Sequence, residues 1–296
     1  MSKHVFILLL FVFSNIPLLA GDYKSTYVEL LNKKEYSKLK SHLEEWENRE
    51  PADPELFIAW FNYYINRNLQ ETITQTRTPE SEKALTLTDP DTGEVVGYLS
   101  PKQIYDRDDV LKGLEYLDSG IQKYPRRLDM HFGRIHIQGE IEEFEAQKKS
   151  LIEVLRISKK INNSWLWHDG NEKDDARDFT LGNVQARTYE FMKLKKYDYV
   201  EEISNLMIQY YPEQVYGYNN LASIYLQKKD YRKALSYFHK AEKVAPDDVI
   251  VIANLAYMYR MMDDTENAIR YYEKLLGSND TEMQELARKN LKELKK

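Results

Sequence analysis

The chain has 296 residues, of which 42% are hydrophobic, 30% charged and 12% aromatic, with a formal net charge of −6 and a pI of about 5.7. It is too apolar for disorder and shows no basic patch of the kind nucleic acid requires, and its eleven Gly and nine Pro favour long helices over many tight turns. The absence of cysteine excludes a disulfide framework, a thiolate metal site and a lipid-modified cysteine.

Lys3 precedes an apolar run from Val5 to Phe13, followed by Pro17, Ala20 and Gly21. A charged start, an apolar stretch and a small-residue cleavage site are the layout of a secretory signal peptide. Residues 1–20 are therefore expected to direct export, to the periplasm or out of the cell, although Leu18 stands where a small residue is usual. The alternative is an N-terminal membrane anchor, for which Val5 to Ala20 falls short of the roughly 20 residues a bilayer needs. The mature chain is expected to have no membrane span and, without Lys3, a net charge of −6 − 1 = −7.

Residues 21–160 read as degenerate helical repeats. Tyr23 to Leu31 gives a first helix, answered by a second that carries Tyr36, Leu39, Leu43 and Trp46 on one side and ends before Pro51. Pro54 to Arg67 starts another pair, rich in aromatics (Phe57, Trp60, Phe61, Tyr63, Tyr64), and Val110 to Tyr124 answers it across an insertion. In that insertion, at about 84–99, Ala84-Leu-Thr-Leu-Thr alternates with period two, Asp89-Pro-Asp-Thr-Gly turns, and Glu94-Val-Val-Gly-Tyr-Leu returns. This predicts a β-hairpin, which alone would be marginal in water and should pack on the helices or pair with a partner strand. Leu128 to Ile157 reads as a further helical pair. Residues 161–180 then form a polar loop carrying Trp165, Trp167, His168, Asp169, Asp174 and Asp175. Long loops in compact helical arrays are often functional.

The C-terminal part has a fixed period. Pro212 and Pro246 are 34 residues apart (246 − 212 = 34), as are Tyr197 and Tyr231, Leu221 and Leu255, Tyr225 and Tyr259, and Ala234 and Ala268. A period of this length signals a solenoid, in which each unit buries its apolar face against its neighbours. In the clearest unit, Tyr218, Leu221, Ala222 and Tyr225 share one helical stripe, Lys228-Lys229-Asp230 interrupts, and Ala234, Phe238 and Ala241 line a second helix ended by Pro246. Two antiparallel helices in 34 residues with this small–large alternation resemble a tetratricopeptide repeat. Ile252, Leu255, Ala256, Tyr259, Ala268 and Tyr272 repeat the pattern, departing from it at Leu275 and Asp280, and residues 181–214 keep Phe191, Tyr197 and Pro212. Residues 181–282 are thus expected to be repeats and 283–296 a polar capping helix. The fold class implied is an all-α solenoid of antiparallel helix pairs, a right-handed superhelix, with a small inserted β-hairpin.

No catalytic motif is present: no phosphate-cradling glycine loop, no G-x-S-x-G and no H-E-x-x-H. His131 and His136 are five apart and point about 140° apart on a helix. Asp169, Asn171, Asp174 and Asp175 are hard ligands, but their spacing misses the calcium loop and lacks its closing glutamate. No metal, cofactor or enzymatic activity is expected. Beside the core stripe, Tyr216, Asn219, Asn220, Ser223 and Gln227 should face a concave groove, with Ala253, Asn254, Tyr257 and Arg260 in the next unit. Asn220 and Asn254 are one period apart (254 − 220 = 34). An amide both donates and accepts, and in similar repeat proteins an asparagine ladder holds a peptide main chain; the same residues could serve helix packing alone. The expected function is a non-enzymatic scaffold in the cell envelope, binding a protein or peptide partner through Tyr216, Asn219, Asn220, Ser223, Asn254, Tyr257 and Arg260. The alternative is a glycan-binding module in which Trp165 and Trp167 stack on sugars, with burial of those rings as the competing reading.

Overall fold

The computed structural model describes residues 23–78 and 84–296; the expected signal peptide lies outside them. These residues divide into two compact units, one holding 23–78, 84–147 and Ser164–Lys173, the other Lys148–Asn163 and Asp174–Lys296. The first contains α1 (Tyr23–Asn32), α2 (Tyr36–Arg49), α3 (Pro54–Arg67), β1 (Gln70–Thr76), β2 (Leu85–Thr88), β3 (Val95–Ile104), α4 (Arg107–Lys123), α5 (Leu128–Glu140) and the start of α6 (Phe144–Lys160). The second contains the rest of α6, then α7 (Ala176–Lys193), α8 (Tyr197–Tyr210), α9 (Tyr216–Gln227), α10 (Tyr231–Val244), α11 (Val249–Met261), α12 (Thr265–Leu276) and α13 (Thr281–Leu294).

One turn recurs through both units. The N–H of Glu35 reaches the carbonyl of Leu30, Glu143 that of Gln138, Lys196 that of Phe191, Asp230 that of Tyr225 and Asp264 that of Tyr259, at 2.8–3.0 Å. In each case the preceding residue (Lys34, Glu142, Lys195, Lys229 or Asp263) is left-handed, with φ of 56–61°. This six-to-one closure ends the first helix of a pair and starts the second. Asp230, Asp264 and Asp280 then cap α10, α12 and α13 by accepting from the N–H three residues on. The α3/α4 pair lacks this turn because the sheet is inserted there.

In the C-terminal unit Ala222, Ala234, Ala241, Ala256 and Ala268 are buried where helices cross, with Phe238, Tyr259 and Tyr272 filling the space between. Gly217 brings α9 onto α8: a Cβ there would lie 2.7 Å from the Ser204 carbonyl oxygen. In the other unit Leu39, Leu43 and Trp46 pack on Leu56, Ala59, Trp60 and Tyr63. Phe57 and Phe61 pack on Val110, Leu117, Ile121 and Met130.

The expected hairpin is present as β2 and β3, turning through Asp89–Gly93, and β1 joins it to make a three-stranded antiparallel sheet in the order β1-β3-β2 that reaches beyond 84–99. β1 carries Thr72, Thr74 and Thr76 on its half-buried face and Ile73 on its open one, so no apolar alternation marks it. It supplies the third strand that an isolated hairpin lacks. The expected loop of 161–180 ends sooner, at the start of α7. The expected capping helix of 283–296 begins at Thr281, behind its Asp280 cap.

Candidate functional site

Residues one period apart share a register on α7, α9 and α11. Tyr189, Ser223 and Tyr257 form one row (223 − 189 = 34; 257 − 223 = 34). Tyr189 is 57% exposed and Tyr257 47%, with half-buried Ser223 between them. Gly182, Tyr216 and Ile250 form the next row (216 − 182 = 34; 250 − 216 = 34). Ile250 is exposed, and a Cβ on Gly182 would meet no atom within 4 Å. Tyr216 is half-buried, and burial pushes its phenol above the ordinary range. Lys193, Gln227 and Met261 make a third, exposed row.

The expected asparagine ladder is reduced to one free rung. Asn220 is buried and its amide is paired reciprocally with Gln185: Gln185 Nε2 donates to Asn220 Oδ1 at 2.9 Å, and Asn220 Nδ2 to Gln185 Oε1 at 2.8 Å. The donor and acceptor a peptide would use are thus occupied by α7. Asn254 is half-buried and makes no side-chain hydrogen bond among the described residues. Asn219 is half-buried with its Oδ1 unbonded. Arg260 is committed to α13, donating to Asn290 Oδ1 and, at 2.8 Å, to Glu293 Oε2. The sequence held one sign of the Gln185 partnership, an amide one residue off the register (220 − 185 = 35).

The tryptophan loop is a strap on the first unit. Leu166 makes two main-chain bonds beside α5, accepting from Leu128 at 3.0 Å and donating to the Arg126 carbonyl at 2.8 Å. Arg126 grips the Ser164 carbonyl and hydroxyl, both at 2.7 Å. Trp165 is 1% exposed and meets buried His131 edge-on at 5.4 Å. A ring this buried cannot stack on a sugar, which corrects the glycan expectation for Trp165. Trp167 is half-buried, edge-on to His168 at 5.0 Å.

Under the strap lies an ionic network. Arg127, 2% exposed, donates to Asp129 at 3.0 and 2.7 Å and pairs with Glu55 at 2.7 Å. His168 Nδ1 stands 3.6 Å from Asp129, while Asp169 pairs with Lys24 and donates its N–H to Glu55 at 3.2 Å. Burial would raise the Asp129 carboxyl, but hydrogen bonds from His168 and Arg127 outweigh it and hold the group below the usual carboxylate range. A cavity of about 360 Å³ lies here, lined by Tyr23, Lys24, Trp46, Glu55, Arg127 and Asp169 among others. Its Lys24 and Arg127 are already paired with carboxylates. Among the described residues no three His, Asp or Glu side chains converge as metal ligands.

Residues 213–278, spanning α9 to α12, match the tetratricopeptide-repeat family model. Over those residues the chain carries tetratricopeptide repeats. No curated protein matches it. Among solved structures, a tetratricopeptide repeat protein from Parabacteroides merdae is similar at 14% identity, over 92% of this chain and 85% of that one, with a TM-score of 0.40. The first such domain of Spaghetti (RPAP3), bound to the HSP90 peptide SRMEEVD, is 20% identical over 38% of this chain and 93% of its own, with a TM-score of 0.34. YrrB, described as having an unusual peptide-binding site, is 15% identical over 62% and 84%, with a TM-score of 0.38. At these identities and scores the likeness says nothing of what this chain binds. The matched residues contain Ser223, Asn254 and Tyr257, while Tyr189 stands before them on α7. Among the described residues no helix is long and apolar enough to cross a membrane.

Proposed function

We propose that this chain is a non-enzymatic interaction scaffold that holds a peptide or protein segment against α7, α9 and α11, acting after export in the cell envelope. The row of Tyr189, Ser223 and Tyr257 carries the reading: two exposed rings flank a small side chain on successive repeats. Exposed apolar side chains gathered on one face mark interaction sites, and tyrosine offers a large apolar body with a polar tip. Ile250 and Met261 extend the same face at either end. Asn254, with its amide uncommitted, is placed to donate to and accept from a bound main chain. Tyr216, Ser223 and Asn219 line the site, whereas Asn220 and Arg260 act through Gln185 and α13 to hold its helices.

A cross-linking pull-down from the native envelope tests this with the wild-type chain and a Tyr189→Ala/Tyr257→Ala variant. The partner should be lost while helicity by circular dichroism is unchanged, since both rings are exposed. Undiminished capture would contradict the site.

A further inference from the structure

The order β1-β3-β2 leaves the outer side of β1 without a strand among the described residues. Natural edge strands are protected by Lys, Pro, bulges or shortness. β1 runs for seven residues in unbroken register and contains no Lys, Arg or Pro. Ile73, at its centre, is 69% exposed. It lies opposite Pro101, which has no N–H to give, so this is a non-bonded pair, and the main-chain groups of Glu71, Ile73 and Gln75 point to the open side.

Thr72-Ile73-Thr74 reads the same in both directions about Ile73, and Glu71 and Gln75, side chains of nearly equal shape, flank it on either side. We propose that β1 is a self-association edge, along which two copies of this chain pair antiparallel with Ile73 opposite Ile73. In that register every residue of Gln70–Thr76 finds its opposite within the partner's β1: Thr72 faces Thr74, Glu71 faces Gln75 and Gln70 faces Thr76. The two Glu71 carboxylates stay apart, and the Thr pairs are favourable cross-strand neighbours. The outward groups of Glu71, Ile73 and Gln75 make about six main-chain hydrogen bonds across the dyad. The exposed isoleucines cover each other on the sheet face that also carries Leu85, 67% exposed. The product is one continuous sheet in the order β2-β3-β1-β1-β3-β2. This surface does not depend on the peptide site of the C-terminal unit.

The chain has no cysteine, so introduced thiols report cleanly. Ile73→Cys places two Cα atoms about 5.5 Å apart across the dyad, within disulfide reach, whereas Thr72→Cys leaves its copies on a diagonal of about 7–8 Å, outside it. Under mild oxidation the full chain with Ile73→Cys should run as a covalent dimer on a non-reducing gel, and Thr72→Cys should not. In sedimentation equilibrium, Gln75→Glu sets two like-charge pairs against Glu71 and should weaken the dimer about fivefold, while Gln75→Lys should tighten it. A chain monomeric at every concentration overturns the proposal, whether the edge is then bare or takes a strand from another protein. So does cross-linking through Thr72→Cys as readily as through Ile73→Cys, or a dimer indifferent to the charge at position 75.

Discussion

At Gly217 an added methyl group would meet the Ser204 carbonyl oxygen at 2.7 Å and Ile208 Cγ1 at 2.8 Å, whereas at Gly182, also inside a helix, it would meet nothing within 4 Å. Gly217→Ala should therefore cost about 1–3 kcal/mol, because α9 must move off α8. Gly182→Ala should gain up to about 1 kcal/mol, from helix propensity alone. Thermal unfolding of the two variants checks both signs. Neither glycine's role was legible in the sequence, since what presses on each comes from the packed structure. The same holds for Asn220: the period placed it beside the core stripe, but its pairing with Gln185 depends on how α7 lies along α9.

Among the elements, the helices and the β2–β3 hairpin were legible, and the strap and β1 were not. Helical stripes such as Leu39, Leu43 and Trp46 show their 3.6-residue period directly. β1 hides because its half-buried face is threonine, and the strap because its anchors bond across the chain: Trp165 on His131, Arg126 on Ser164. Asp129 holds the network beneath it. Asp129→Asn should cost about 3 kcal/mol at neutral pH, because Arg127 stays buried with only Glu55 to pair it. The Asp129 carboxyl ionises below its unfolded value, so the stability it adds is complete above about pH 4 and is lost as pH falls through the folded value. Denaturant unfolding across acid pH should show wild type and Asp129→Asn converging as pH drops. A gap that stays constant would mean the carboxylate's charge does not carry the effect.

For the molecule as a whole, the period of 34 was enough to find the repeats that the family model matches at 213–278. The first half lost that period to the inserted sheet, yet keeps the same turn at Lys34 and Glu142 that the second half uses at Lys195, Lys229 and Asp263. Each of these is a polar residue held at positive φ, a conformation glycine would have announced and lysine or aspartate does not. The proposed binding face rests less on the ladder of asparagines than on the exposed tyrosines that flank Ser223. The most direct measurement is photo-cross-linking in the native envelope, with a photoreactive residue in place of Tyr257 on α11 or of exposed Ser236 on α10. A partner captured from position 257 and not from 236 is the expected result. Capture from 236 alone, or equally from both, would contradict a binding face built on α7, α9 and α11.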